Sequence, residues 1–160
     1  MLIFAVRLIL EDDNKWLFLR QTKKNGGRYT LVGGNVEDHE FAREALAREA
    51  KEEAGIHVEP ADMTLVHVLH RHKLKKDENY LVLYFKASRF YGEPESLEPK
   101  KFKEVRWLSL NNLPSDVSKP TLHVIDSIRK NVIYSEFPAR AEVLKFWQAL
   151  GNRWAGFSEY

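Results

Sequence analysis

At 160 residues the chain has the length of one domain. An apolar fraction of 44% and an aromatic fraction of 12% exclude a disordered polypeptide, and the absence of cysteine excludes disulfides and thiolate metal sites. A net charge of +2 argues against a DNA or RNA duplex binder while leaving room for a local basic pocket.

The apolar start Leu2-Ile3-Phe4-Ala5-Val6 is too short for a signal peptide and lacks a basic lead. No stretch is long enough to cross a membrane, and the expected location is cytoplasmic. Residues 2–10 predict a strand, 11–15 a turn and 16–20 a second strand, so a hairpin opens the chain. A polar loop over 23–28 leads to a brief extended segment at 29–32. A helix follows, ending at Gly55, whose lack of a side chain suits the left-handed position past a helix C-terminus. Residues 63–73 and 80–88 predict partner strands joined by a loop, 91–103 a loop, and 104–110 a last strand around Trp107. Pro120 opens a second helix to Lys130, with Leu122, Ile125 and Ile128 at helical spacing. A tail from Ser135 carries a third helix over 139–150, stopped by Gly151-Asn152.

The helix before Gly55 carries the chemistry. On a wheel of 100° per residue, Phe41, Ala42, Ala45, Leu46 and Ile56 gather on one side. Glu49 falls in the middle of that side, and Glu52 and Glu53 flank it one turn on. Carboxylates on the inward face repel one another and resist desolvation. A hard cation, Mg²⁺ or Mn²⁺, suits an all-oxygen set of this kind.

The stretch resembles the Nudix box, G-x5-E-x7-R-E-U-x-E-E-x-G-U, where U is aliphatic. Gly34, Glu40, Arg48, Glu49, Glu52, Glu53, Gly55 and Ile56 occupy its fixed positions, with Ala50 at the first U. The resemblance implies an α+β fold, an α/β/α sandwich with a mixed sheet, as a Nudix domain over residues 1–134; beyond it, the tail pattern makes 135–160 a helical extension. It implies hydrolysis of a nucleoside diphosphate linked to another group, with metal held by Glu49, Glu52, Glu53 and the Gly34 carbonyl. Arg48 would orient a box glutamate, and Glu52, Glu53 or Glu98 would take the proton of the attacking water. Arg20, at a strand end, Gly33 and Asn35 are the expected substrate contacts.

The run from Gly92 through Glu98 to Trp107 looks like the MutT-like branch that hydrolyses nucleoside triphosphates. Other features depart from family patterns. Val32 precedes the glycines where many members have Pro, and Asn35 follows them where Lys or His is common. Arg71 and His72 stand where one branch of ADP-ribose hydrolases carries Pro. Ser118 stands where guanine-reading members place Asn two residues before a Pro. The expected activity is therefore a (d)NTP pyrophosphohydrolase. The alternatives are an ADP-ribose or other nucleotide-sugar pyrophosphatase, or a nucleotide-sensing module without catalysis.

His67, His70 and His72 lie on one predicted strand and read as half-buried strand residues, since no third zinc ligand stands at suitable spacing. In the tail, Val143, Leu144, Phe146, Trp147 and Leu150 form an apolar stripe. Such a helix orders only if it docks on its own domain, the favoured arrangement, or on a second subunit. A monomer or a homodimer follows accordingly.

Overall fold

The computed structural model describes residues 1–150; the helix stop expected at Gly151-Asn152 and the rest of the extension lie outside them. The described chain runs β1 (Leu2–Ile9), β2 (Glu11–Asp12), β3 (Lys15–Gln21), β4 (Tyr29–Thr30), α1 (Ala42–Ala54), β5 (Met63–Lys73), β6 (Glu78–Ala87), β7 (Phe102–Ser109), α2 (Lys119–Arg129), β8 (Tyr134–Phe137) and α3 (Arg140–Ala149).

The strands form two sheets. In the first, of order β1-β6-β5-β8, β1 runs parallel to β6, β6 antiparallel to β5, and β5 parallel to β8. In the second, β3 pairs antiparallel with β2, β4 and β7. The mixed first sheet divides the interior into two cores. Val6, Leu8 and Phe85 pack with Ala45, Leu46 and Ala50 of α1. Ala5, Ile9, Val82 and Tyr84 pack with Val124 and Ile125 of α2 and with Trp16 and Phe18 of β3. Period-two alternation along β1 and β6 sends adjacent residues to opposite layers, which is how one sheet serves both helices.

α2 starts where expected, with Pro120 in its first turn, and its N-cap is Ser118, whose hydroxyl accepts from the Thr121 N–H. α1 differs at its start. Phe41 is an extended N-cap residue, 81% exposed, instead of part of the buried stripe; the Glu44 carboxylate accepts its N–H at 2.7 Å. Residues 135–138, which lead the tail into its helix, are largely a strand, β8. It is tied down by buried polar groups. His67, fully buried on β5, donates Nδ1–H to the Val132 carbonyl at 2.8 Å. Its Nε2 then accepts from the Ser135 hydroxyl at 2.8 Å, leaving the Ser135 oxygen to accept from His123 Nε2 of α2 at 2.9 Å. One directed chain of bonds thereby joins β5, β8 and α2.

α3 docks on its own domain by one edge of the expected stripe. Val143 is buried, Phe146 and Trp147 are half-buried, and Leu144 and Leu150 are exposed. Val143 lines a small cavity with His70, His72, Phe137 and Pro138. No helix among the described residues is long and apolar enough to cross a membrane.

Candidate active site

The site forms where residues 33–36 pass between β1 and α1. Val6 N donates to the Gly34 carbonyl and Leu8 N to the Val32 carbonyl, both at 2.9 Å, so this loop extends the first sheet beyond β1. Gly33 has φ +139°, and a Cβ there would collide with the Val6 carbonyl. A Cβ on Gly34 would collide with the Glu49 carboxylate. Two glycines are therefore required: one for backbone conformation, the other for the approach of a carboxylate.

On α1, Glu49 and Glu53 lie one turn apart on the inward face. The Glu53 side chain accepts the Gly33 N–H at 2.9 Å and is 4% exposed. Burial pushes its carboxyl up to about 7; Glu49 and Glu98 push the same way, while the Gly33 N–H and Arg7 oppose. Glu49 is raised as well, by burial first and by Glu52, against the attraction of Arg48. Glu52 differs from the wheel's expectation, because its side chain is 52% exposed. It sits three residues after Glu49, on the solvent shoulder of the helix.

Arg48 gathers the outer side of the site. Its Nη2 and Nε reach both oxygens of Glu40, at 2.7 and 3.1 Å. Its Nη1 contacts Glu49 at 3.1 Å and Glu52 at 3.3 Å, and Nη2 also reaches the Asn35 carbonyl at 3.3 Å. These bonds hold the Arg48 guanidinium well above its ordinary pKa, Glu40 most of all, and hold Glu40 below the carboxylate range. Glu40, at a fixed position of the box, is thus the main partner of Arg48 and pins the 35–40 loop to the helix.

The loop after Gly92 closes the other side. Glu95 N and Leu97 N donate to the carbonyls of Ala54 and Glu53, each at 3.1 Å, laying the loop on the end of α1. Glu98 comes close enough to raise the Glu53 carboxyl and is itself paired with Lys101 at 2.9 Å. Lys101 feels Glu53 and Glu49 too. Arg20 lies apart from the carboxylates. It pairs with Asp116, stacks 4.5 Å over the Tyr29 ring, and keeps a buried Nε without a partner. Asn35 is exposed, and the Gly34 carbonyl already accepts Val6 N–H, leaving one lone pair.

Among the described residues no three acidic or imidazole groups converge as a ready-made cation site: Glu49 and Glu52 turn to Arg48, and Glu53 to Gly33. The donor chemistry nevertheless fits a hard divalent ion. Glu49 and Glu53 are desolvated carboxylates, each raised by burial and Glu53 also by Glu49, and a cation between them would relieve both the repulsion and the desolvation.

Sequence reasoning missed Arg7 and Lys101. Arg7 had a signal, since it interrupts the alternation of Ala5 and Ile9, both fully buried on the same strand face. Lys101 had none, because it reaches the box only through the loop that carries Glu98.

A family model for the NUDIX domain matches residues 1–128. The fold is similar to a MutT NUDIX hydrolase from Burkholderia pseudomallei, 25% identical, with TM-score 0.73 over 79% of this chain and 97% of that one. It is similar to a MutT protein from Methanosarcina mazei, 20% identical, with TM-score 0.69 over 81% and 94%. An ADP-ribose pyrophosphatase from Streptococcus suis shares the fold at 16% identity, with TM-score 0.55 over 84% and 96%. With a family model matching from Met1 through the whole box and on to the end of α2, and with the box residues assembled at the junction of β1 and α1, this chain belongs to the Nudix family.

Proposed function

We propose that this Nudix protein, a pyrophosphohydrolase acting on phosphorus-containing acid anhydrides, hydrolyses nucleoside triphosphates or closely related nucleoside diphosphate derivatives. The observation that carries this reading is the desolvated pair Glu49 and Glu53, backed by Gly33 and Gly34 and joined by Glu98 from the 93–98 loop. Likeness to MutT proteins supports the triphosphate branch.

In this reading Glu49, Glu52, Glu53 and the Gly34 carbonyl hold Mg²⁺, or Mn²⁺ in its place. A bound divalent ion neutralises diphosphate charge and acidifies a water molecule. The chain's own residues do the rest. Glu53, whose carboxyl burial raises in the metal-free protein, is one candidate base. Glu98 and Glu52 are the other candidate bases, and Lys101 holds Glu98 in place. Arg48 fixes Glu49 and Glu52 against the loop through Glu40. Gly33 and Asn35 would line the backbone approach, and Arg20, here paired with Asp116, would exchange that partner for a phosphate. The substrate is a small nucleotide, without a nucleic-acid duplex or membrane partner, and the cytoplasm is the compartment that fits.

The test is a panel of nucleoside triphosphates, ADP-ribose and nucleotide sugars at equal concentration with Mg²⁺, products identified. Triphosphates are expected to turn over fastest. ADP-ribose cleaved about ten times faster than every triphosphate would overturn the substrate class. Binding without any turnover would move the protein to the sensing role.

A further inference from the structure

Among the described residues, two arginines on the β1–β6–β5 sheet have no ion-pair partner, and both sit where the fold calls for apolar residues. Arg7 lies between buried Ala5 and Ile9 on the β1 face that meets the second core. Arg71 follows fully buried Leu69 on the same face of β5. The register shows the shared face: Arg7 stands beside Tyr84, Leu69 beside Val82, and Arg71 beside Tyr80 and Phe137. The other inward-reaching arginines are ion-paired, Arg20 with Asp116 and Arg48 with the box. Arg7 donates only to the carbonyl of its neighbour Val6, at 2.7 Å. Arg71 has a buried Nε with no partner, and burial holds its guanidinium below the ordinary range.

The two guanidiniums are close enough to repel, and both act on the buried Tyr84 phenol between them. Arg7 also feels Glu49 and Glu53, and Gly33 packs against its Cα. Arg71 has no such tie to the box. The order along this sheet face is therefore acidic box, Arg7, Tyr84, Arg71. Arg71 feels the opposite charge of Glu78 but makes no ion pair with it, and a partly desolvated guanidinium with an unpaired Nε is unfavourable unless an anion arrives to meet it. A guanidinium presents a planar fork of donors suited to phosphate or carboxylate oxygens.

We infer that Arg7 and Arg71 form an anion subsite, and that the substrate carries a second anionic group, a phosphate on the ribose, on the nucleoside side of the hydrolysed diphosphate. The inference rests on the diphosphate lying at the box, as proposed above. With the diphosphate there, Arg7 faces its nucleoside end, and Arg71, farther along the strands, meets the additional phosphate. The nucleotide is then gripped at both charged ends.

Titration calorimetry with non-hydrolysable ligands tests this. The common nucleoside 5′-monophosphates are compared with their 2′,5′- and 3′,5′-bisphosphates, on the wild type and on Arg71→Met. The wild type is expected to bind at least one bisphosphate tighter than its monophosphate by about 10-fold or more, the scale of a charge-assisted contact. In Arg71→Met that ratio should fall to about one. A wild type with no preference, or a preference that survives in Arg71→Met, overturns the subsite. Equal losses of both ligands in the variant would put Arg71 on the 5′-phosphate and overturn it too. If Arg71→Met does not melt cooperatively, Arg71→Lys replaces it; the lysine keeps the charge but lacks the fork, so the ratio should drop several-fold, and an unchanged ratio refutes the assignment. Hydrolysis is assayed separately on the wild type. Turnover without the bisphosphate preference sinks the subsite alone, and the preference without turnover sinks only the hydrolase reading.

Discussion

Glu53 and Gly33, twenty residues apart, are joined by a 2.9 Å hydrogen bond from the Gly33 N–H to Glu53 Oε2. That bond fastens α1 to the loop extending the first sheet. It also leaves a buried carboxylate with one backbone donor and two acidic neighbours, Glu49 and Glu98.

Replacing Glu53 with Gln separates these roles. The amide oxygen still accepts the Gly33 N–H, so the melting temperature of Glu53→Gln should stay close to the wild type's or rise. Turnover at saturating Mg²⁺ should fall by more than about 100-fold, the upper end of what an outer partner of a metal ligand is worth. Near-normal turnover in Glu53→Gln and Glu49→Gln alike would remove both residues from the metal assignment.

Metal stabilisation should depend on pH. The folded carboxyl of Glu53 is raised to about 7, by burial first. Its contribution to metal-free stability is therefore present below the unfolded carboxylate pKa and lost as pH rises through about 7. Around it stand Glu49 on its own helix, Arg7 on β1, and Glu98 and Lys101 on the loop. A divalent ion competes with the proton, so the rise in melting temperature caused by Mg²⁺ should grow between about pH 5.5 and about pH 8. In Glu53→Gln that growth should shrink. A shift independent of pH in the wild type would contradict the role of Glu53 as a ligand.

The His67–Ser135–His123 chain gives a second pH signature. Burial holds the His67 imidazole below its ordinary pKa, with His123 pushing the same way and the Val132 carbonyl opposing. Stability from neutral His67 is present above the unfolded histidine pKa and lost as pH falls below it. Ser135→Ala leaves His67 Nε2 without its donor and His123 without its acceptor. Denaturant unfolding at neutral pH should show a loss of about 1–3 kcal/mol. A variant as stable as wild type would mean that the network contributes nothing net.

α3 offers a test of assembly. Removing residues 139–160 keeps β8 but deletes the buried Val143 contact. Docking within one chain predicts an unchanged mass by light scattering and a lower melting temperature, by roughly 2–4 °C for each kcal/mol lost. A dimer that becomes a monomer would instead assign exposed Leu144 and Leu150 to a subunit contact.

Much of this was legible in the chain because it is local. The box spacing, Gly55 past α1, Pro120 in the first turn of α2 and the alternation of β1 and β6 are each written within a few residues, where backbone preference and periodicity act. What only the tertiary structure decided depends on which surfaces meet. Glu52 and Glu53 flank Glu49 alike on a wheel, but the 33–36 loop covers Glu53 and leaves Glu52 in solvent. β8 has four residues and too little pattern to announce itself; it is a strand because β5 offers an edge and His67 and His123 meet Ser135. Arg7 and Arg71 are far apart in sequence and share a sheet face only because β6 lies between their strands. Pairing across a sheet is a long-range choice, made by burial and hydrogen-bond satisfaction over the whole domain, and no short window of sequence contains it.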